Sequence, residues 1–284
     1  MPDEWEDDEL EGYRGSAPAR WGNGAADQRQ HDVYGEILDC ADQWARRGGE
    51  IEPSLWSALA GLADTAGQAW RQPDQGIWEV RNEGKVFTYS AAMCEVALDR
   101  AAAIGERLGL AGPIAAWRSE ADTLRQAILE ASWDDGAQTL SDHLGGGGGL
   151  DASLLALPLR YVIPATHPRM IATTTAVANR LSGGDGLLYR YLHDESPDGL
   201  PGDEGAFLLC SFWLADNLSA QGRVPEAQEL YASLCARASP LGLLPEQIQP
   251  GSGEFIGNFP QAFSHIGVIS SGVRIARAMA GAAS

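Results

Sequence analysis

Apolar residues recur at three- and four-residue spacing through most of the 284-residue chain, interrupted by loops rich in Gly, Pro and Asp. The pattern predicts helices near residues 25–46, 52–71, 87–108, 113–132, 151–163, 167–182, 204–221, 224–238 and 261–281. No alternation of Val, Ile or Thr runs long enough to predict a sheet. No Pro- or Ser-rich linker divides the chain. Residues 1–284 therefore read as one all-α domain, with residues 1–24 as a loop segment leading into it.

The helices are of two kinds. Those beginning near 25, 87, 151, 204 and 261 are rich in small and apolar residues, and each follows a decorated loop such as "WGNG", "EVRNEGKVFTYS" or "GNFPQAFSH". Those between them, such as "VPEAQELYASLCARA", carry a charged face and suit an outer layer. Buried and amphipathic helices in alternation, with long loops before each buried one, predict an α/α toroid. A helical solenoid would alternate in the same way but needs no such loops. In "DHLGGGGGLDAS" five consecutive glycines precede a helix for which Asp151 or Ser153 is the cap. A phosphate cradle needs a Lys and a preceding strand, both missing there, so the run reads as simple flexibility.

Composition narrows the partners. With 20 basic against 39 acidic residues the formal charge is −19, which disfavours nucleic acid and anionic membrane surfaces and suits a neutral or cationic small substrate. There is no apolar run of transmembrane length, and "MPDEWEDDELEG" is acidic where a signal peptide is basic and then apolar, so a cytoplasmic location is expected. Cys40, Cys94, Cys210 and Cys235 lack metal spacing and read as buried free thiols. His31, His143, His167, His193 and His265 show no ligand spacing, and neither metal nor cofactor is expected. Gly-x-Ser-x-Gly is absent.

Two segments carry a carboxylate in a loop before a helix: Trp78-Glu79-Val80-Arg81, and "LGLLPEQIQPGSGEFIGNFPQAFSHIGV" with Glu246. If both loops lie at one end of a toroid, the two carboxylates face each other across its mouth. Hydrolysis of a glycosidic bond needs such a pair, one donating a proton to the leaving oxygen and the other taking one from water. Packing against Trp78 would desolvate Glu79 and favour its neutral form. Trp21, Trp78, Tyr89, Tyr189 and Tyr191 would stack on sugar faces. Taken singly, a loop Glu is more often solvated surface and a Trp beside it core.

These stretches, with "GLLYRYLHDESPDGLPGDEGAFLLCSFWLADNL" and "EGYRGSAPARWGNGAADQRQHDVYGEILD", resemble the bacterial branch of glycoside hydrolase family 15, the glucoamylase and trehalase-like enzymes, from about residue 9 onward. The resemblance implies an (α/α)6 barrel and inverting cleavage of α-glucosidic bonds without a metal. It implies Glu79 as general acid, Glu246 as general base, and Trp78, Arg81, Asp32, Arg190, Tyr191 and Glu204 as substrate-side residues. Asn258 and Gln261 fall in a closing motif. Inversion sets the carboxyls about 6.5–9.5 Å apart, with room for water. The sequence departs from the family at Ala91 and Glu95, where Lys and Trp are expected.

The resemblance also implies twelve barrel helices, an upstream β-sandwich and a Trp-Pro-Arg-Asp type segment, against nine helices predicted here. Each thousand Å² of apolar helix face left in water forfeits about 25 kcal/mol, more than the roughly 5–15 kcal/mol stability of a domain. A homo-oligomer or a complementing chain is therefore expected to cover the opening. The alternative to an active hydrolase is a truncated or split-protein subunit that binds a sugar or a partner.

Overall fold

Helices form where the apolar spacing asked for them: α1 (Asp32–Arg46), α2 (Pro53–Ala69), α3 (Thr88–Leu108), α4 (Ile114–Ala131), α5 (Pro168–Arg180), α6 (Leu208–Ala220), α7 (Val224–Cys235) and α8 (Ala262–Ala282). The computed structural model describes residues 4–192, 194, 196 and 204–282. His193 and residues 197–203 of the loop before α6 lie outside the described residues. Contacts gather the chain into two units, a helical unit of Gln30–Arg180 with Tyr191–Gly199, and a mixed unit of Met1–Arg29, Leu181–Arg190 and Leu200–Ser284.

The helical unit is built around α3. Its Ala-rich sequence lets neighbours approach closely, and residues on every side of it are buried, including Tyr89, Met93, Val96, Leu98 and Ile104. Helices α1, α2 and α4 pack against it. Each contributes one stripe: Leu38 and Ala45 from α1, Trp56, Leu59, Ala63 and Ala66 from α2, and Trp117, Ala121, Leu124 and Ile128 from α4. At the α1–α3 crossing only a glycine fits, because a Cβ on Gly35 would lie 2.3 Å from the Met93 carbonyl oxygen. Pro53 starts α2, where its missing N–H costs nothing, and left-handed Gly109 ends α3.

In the mixed unit α6 packs on α7 and α8. A three-stranded antiparallel ladder joins Ala206–Phe207, Gln247–Ile248 and Phe255–Ile256, with Phe207 opposite Gln247 and Gln247 opposite Ile256. Leu187, Leu208, Phe212, Leu234, Leu244 and Ile248 form the apolar cluster beneath it. Ser182–Gly184 and Leu187–Leu188 form a hairpin turned by Asp185-Gly186, both at positive φ. The segment expected to be loop contains an antiparallel pair, Trp5–Asp7 with Ala19–Trp21.

Four expectations need correction. The helix drawn over 151–163 is two short 3-10 turns, Ala152–Ala156 and Pro158–Arg160, because Pro158 brings no N–H and Tyr161 turns left-handed at φ 65°. Helix α1 begins at Asp32 rather than 25, and α6 at Leu208 rather than 204, since residues 206–207 are taken by the ladder. The all-α reading holds in bulk, but the chain carries antiparallel ladders two or three residues long, too short for alternation to reveal. At the end of the glycine run a Cβ on Gly148 would fall 2.0 Å from an Asp142 carboxylate oxygen.

All four cysteines are free; Cys94 and Cys210 are buried as expected, whereas Cys40 is exposed on α1. Among the described residues no helix is long and apolar enough to cross a membrane.

Candidate functional site

The loop from Pro73 to Phe87 is closed at its base by Asp74 and Lys85, whose backbones exchange hydrogen bonds of 2.9 and 3.0 Å. Within it the Glu79 N–H donates to the Gly76 carbonyl (3.2 Å) and the Val80 N–H to that of Gln75 (3.2 Å). Gly76 has φ 65°, and a Cβ there would meet the Phe87 ring at 2.9 Å. Glu79 is left-handed as well, at φ 54°. A residue with a side chain held there costs on the order of 1 kcal/mol, and such strain persists only where surrounding structure imposes it.

The constraint comes from both sides. Trp78 donates its indole N–H to both oxygens of Asp151, at 3.0 and 2.9 Å. Asp151 is buried, accepts the Ser153 N–H at 2.6 Å, and pairs through its backbone with Tyr191. Burial pushes the Asp151 carboxyl up to about 6, against the opposing pull of its bonds to Ser153 and Trp78. On the other side the Gln30 side-chain amide donates to Glu79 Oε1 at 3.1 Å. Glu79 and Trp78 are half-buried and Arg81 is exposed.

Asp32, the first residue of α1, belongs to the same neighbourhood. Burial pushes its carboxyl up to about 7, with Asp74, Glu36 and Glu79 adding electrostatic repulsion, and its Oδ1 is buried without a hydrogen-bond partner. Asp74 accepts the His31 N–H (2.9 Å) and the Ser90 hydroxyl (2.7 Å) on Oδ2; burial raises its carboxyl too. The cavity beside Trp78, between Lys85, Phe87, Asp142, Asp151 and Tyr191, holds only about 20 Å³, room for a single water. A concavity of about 610 Å³ along α4, lined by Glu106, Arg118 and Asp122, shares no residue with the loop.

In the mixed unit Glu246 precedes the middle strand of the ladder. Its Oε2 accepts the Asn258 N–H (3.0 Å) and side-chain amide (3.1 Å), and its Oε1 accepts the Gln261 amide (3.2 Å). The Glu246 N–H donates to the Asn258 carbonyl at 2.8 Å. Gly257 permits this, since a Cβ there would stand 2.6 Å from Glu246 Oε2. Arg190 and Glu204 form a two-pronged pair, Nε to Oε2 at 3.0 Å and the second nitrogen to Oε1, with the guanidinium 4.8 Å from the Phe207 ring centre.

The sequence-expected residues thus fall into groups. Trp78, Glu79 and Asp32 share one neighbourhood, with Tyr191 reaching it through Asp151. Arg190 and Glu204 bind each other, and Glu246 is held by Asn258 and Gln261. Tyr89 is buried, donates to Glu36 Oε1 at 3.1 Å and presents no stacking face; burial raises its hydroxyl far above the usual range. Trp21 stacks on Trp5 with centroids 6.0 Å apart. Glu95 lies buried against Arg125, its carboxyl pushed up to about 7 by burial. Sequence reading missed Asp151 as the Trp78 acceptor, Gln30 and Asp74. The first lies 73 residues from Trp78, beyond any local pattern. Among the described residues no group of three or more His, Cys, Asp or Glu could hold a metal ion.

The sequence is 44% identical over 269 residues to a trehalase of Mycobacterium tuberculosis, covering 95% of this chain and 39% of that protein. It is 38% identical over 271 residues to a trehalase of Thermoplasma volcanium, covering 95% and 43%. The chain thus spans about two-fifths of the length of these relatives. A solved wild-type glycosidase superposes with a TM-score of 0.75 at 24% identity, covering 94% of this chain and 74% of that one. A bacterial glucoamylase complexed with acarbose gives 0.73 at 16%, covering 88% and 41%. The family model of glycosyl hydrolases family 15 matches residues 2–273, and the chain belongs to that family.

Proposed function

We propose that the protein hydrolyses α-glucosidic bonds with inversion, and that trehalose is its substrate. The observation that carries this reading is the Trp78–Glu79 turn. A carboxylate-bearing residue is kept at φ 54° by hydrogen bonds on both sides, at a position where glycine would be easier. In this reading Glu79 gives a proton to the leaving glycosidic oxygen. Glu246, its oxygens occupied by Asn258 and Gln261 amides, takes the proton of the attacking water. Trp78 and Arg81 stand beside the donor, Asp32 adds a carboxyl that keeps its proton near neutrality, and Arg190, Tyr191 and Glu204 are sugar-binding residues in this reading. The trehalase relatives support trehalose, and the neighbouring folds support an (α/α)6 barrel to which these helices contribute.

A second reading, a subunit that works with a covering polypeptide, is favoured by α8. That helix buries small residues, Ser264, Gly267 and Ser271, and turns Phe263, Ile266, Ile269 and Val273 to solvent. Helix α1 also turns apolar residues to solvent, Val33, Ile37 and Trp44. Apolar stripes at helical spacing on two helices are what a further amphipathic helix or a second copy would cover. The test is glucose release from trehalose, maltose and isomaltose by the purified chain, with Glu79→Gln alongside. Release from trehalose that the variant lacks supports the hydrolase; a folded chain that releases glucose from none of the three supports the second reading.

A further inference from the structure

We propose that Asp151 is the positioning residue for Glu79, acting through the Trp78 indole; this rests on Glu79 being the proton donor. A cap for the 3-10 turn at Ala152 needs one acceptor oxygen for the Ser153 N–H, and an Asn or Ser supplies that without burying a charge. Asp151 instead sets a carboxylate among buried residues and gives both oxygens to one donor, Trp78 Nε1. The desolvation of a carboxylate is out of proportion to a capping role, whereas a two-oxygen grip fixes the position of the ring.

The grip reaches Glu79 through the chain itself. Trp78 and Glu79 are consecutive, and the two backbone bonds within the turn, Glu79 N–H to Gly76 and Val80 N–H to Gln75, limit the freedom between them. A residue at φ 54° relaxes to a right-handed or extended conformation unless its neighbours forbid it. Holding Trp78 forbids it. The Glu79 carboxyl then stays within reach of Gln30 Nε2, which is 3.1 Å away. Asp151 is itself held by the Ser153 N–H and the backbone bridge to Tyr191, so the anchor is part of the packed interior rather than of the loop.

The experiment uses the full chain with Asp151→Ala, Asp151→Asn, Trp78→Phe, the Asp151→Ala/Trp78→Phe double variant and Glu79→Gln. Asp151→Ala and Trp78→Phe should each lower kcat about 100-fold with KM little changed, as expected when a reacting group is displaced by about an ångström. The double variant should be no worse than either single one, because both break the same link. Asp151→Asn, which keeps the cap and one acceptor, should fall between. Hydrolysis that survives in Glu79→Gln would sink the proton-donor reading rather than the link.

The link also has a readout that needs no activity: the ¹⁵N–¹H signals of the Trp78 indole and the Gln30 side-chain amide. Both should move in Asp151→Ala, the indole toward the position of a solvated Trp, and Trp78→Phe should move the Gln30 signal similarly. Gln30 and Trp78 signals that stay put in folded Asp151→Ala would overturn the proposal. So would kcat kept within about threefold while Glu79→Gln is dead.

Discussion

Glu79 and Glu246 are the same side chain in opposite settings. Glu79 sits in a strained turn of the helical unit, with the Gln30 side-chain amide on Oε1 and buried carboxyls nearby, Asp32 held up to about 7 by burial and Asp74 raised as well. Glu246 sits at the start of a strand in the mixed unit, and its two oxygens accept from three N–H groups. Burial raises the Asp32 and Asp74 carboxyls in the first neighbourhood, and amide groups donate to Glu246 in the second. On the proposed function the proton giver is the residue in the first setting and the proton taker the one in the second.

The comparison breaks most sharply by neutralising each carboxylate. Glu79→Gln and Glu246→Gln should each lower kcat on trehalose about 10³-fold, measured by glucose release, with thermal stability nearly intact. If either retains wild-type kcat, its role is wrong. Smaller changes sharpen the picture at Glu246. Gln261→Ala leaves Oε1 without its amide and should cost about 10- to 100-fold in kcat, as expected for a lost hydrogen bond to a charged group. The same substitution should leave the Trp78 and Gln30 signals of the other loop unmoved.

Stability separates the regions next. Asp32, Glu95, Asp151 and Asp216 all titrate above ordinary carboxyls, at about 7, 7, 6 and 6, with burial the leading cause in each. The folded chain therefore keeps protons that the unfolded chain releases. The contribution of these groups to stability is greatest below about pH 4, falls as pH rises toward 7, and then levels. Glu95→Gln should flatten that fall by about 3 kcal/mol between pH 4.5 and 7.5, read by urea unfolding. A steeper fall in the variant would contradict the assignment.

A change of about 1 kcal/mol is expected at the strained turn. Glu79→Gly should be about 1 kcal/mol more stable than Glu79→Ala, because only glycine adopts φ 54° freely, and neither variant should hydrolyse substrate. Equal stabilities would mean the turn relaxes in solution. The smallest effect belongs to α8. Ile266→Asp with Ile269→Asp should alter unfolding free energy by no more than about 0.5 kcal/mol per site, yet lower binding of a hydrophobic dye, because both side chains already face water.

Much of the fold was legible because periodicity is local. Leu59, Ala63 and Ala66 declare the buried face of α2, and Trp117, Ala121, Leu124 and Ile128 that of α4, without knowledge of what lies opposite. The failures have equally local causes. Pro158 broke a segment whose apolar content looked helical, and two-residue strands such as Gln247–Ile248 are shorter than any alternation that could reveal them. At the candidate site the carboxylates stood out through their motifs, but their environments did not. Asp151 lies 73 residues from the Trp78 it holds, and Gln30 lies 49 from Glu79. Such pairings belong to packing, and spacing along the chain carries no trace of them.

The most direct test of the central claim follows the anomers released from α,α-trehalose by proton NMR, with the full chain and its Glu79→Gln variant side by side. Inverting hydrolysis by the assigned pair predicts α- and β-glucose in equal initial amounts from the wild-type chain, and none from the variant. Release of α-glucose alone, undiminished release by Glu79→Gln, or no glucose from the folded wild-type chain would contradict it.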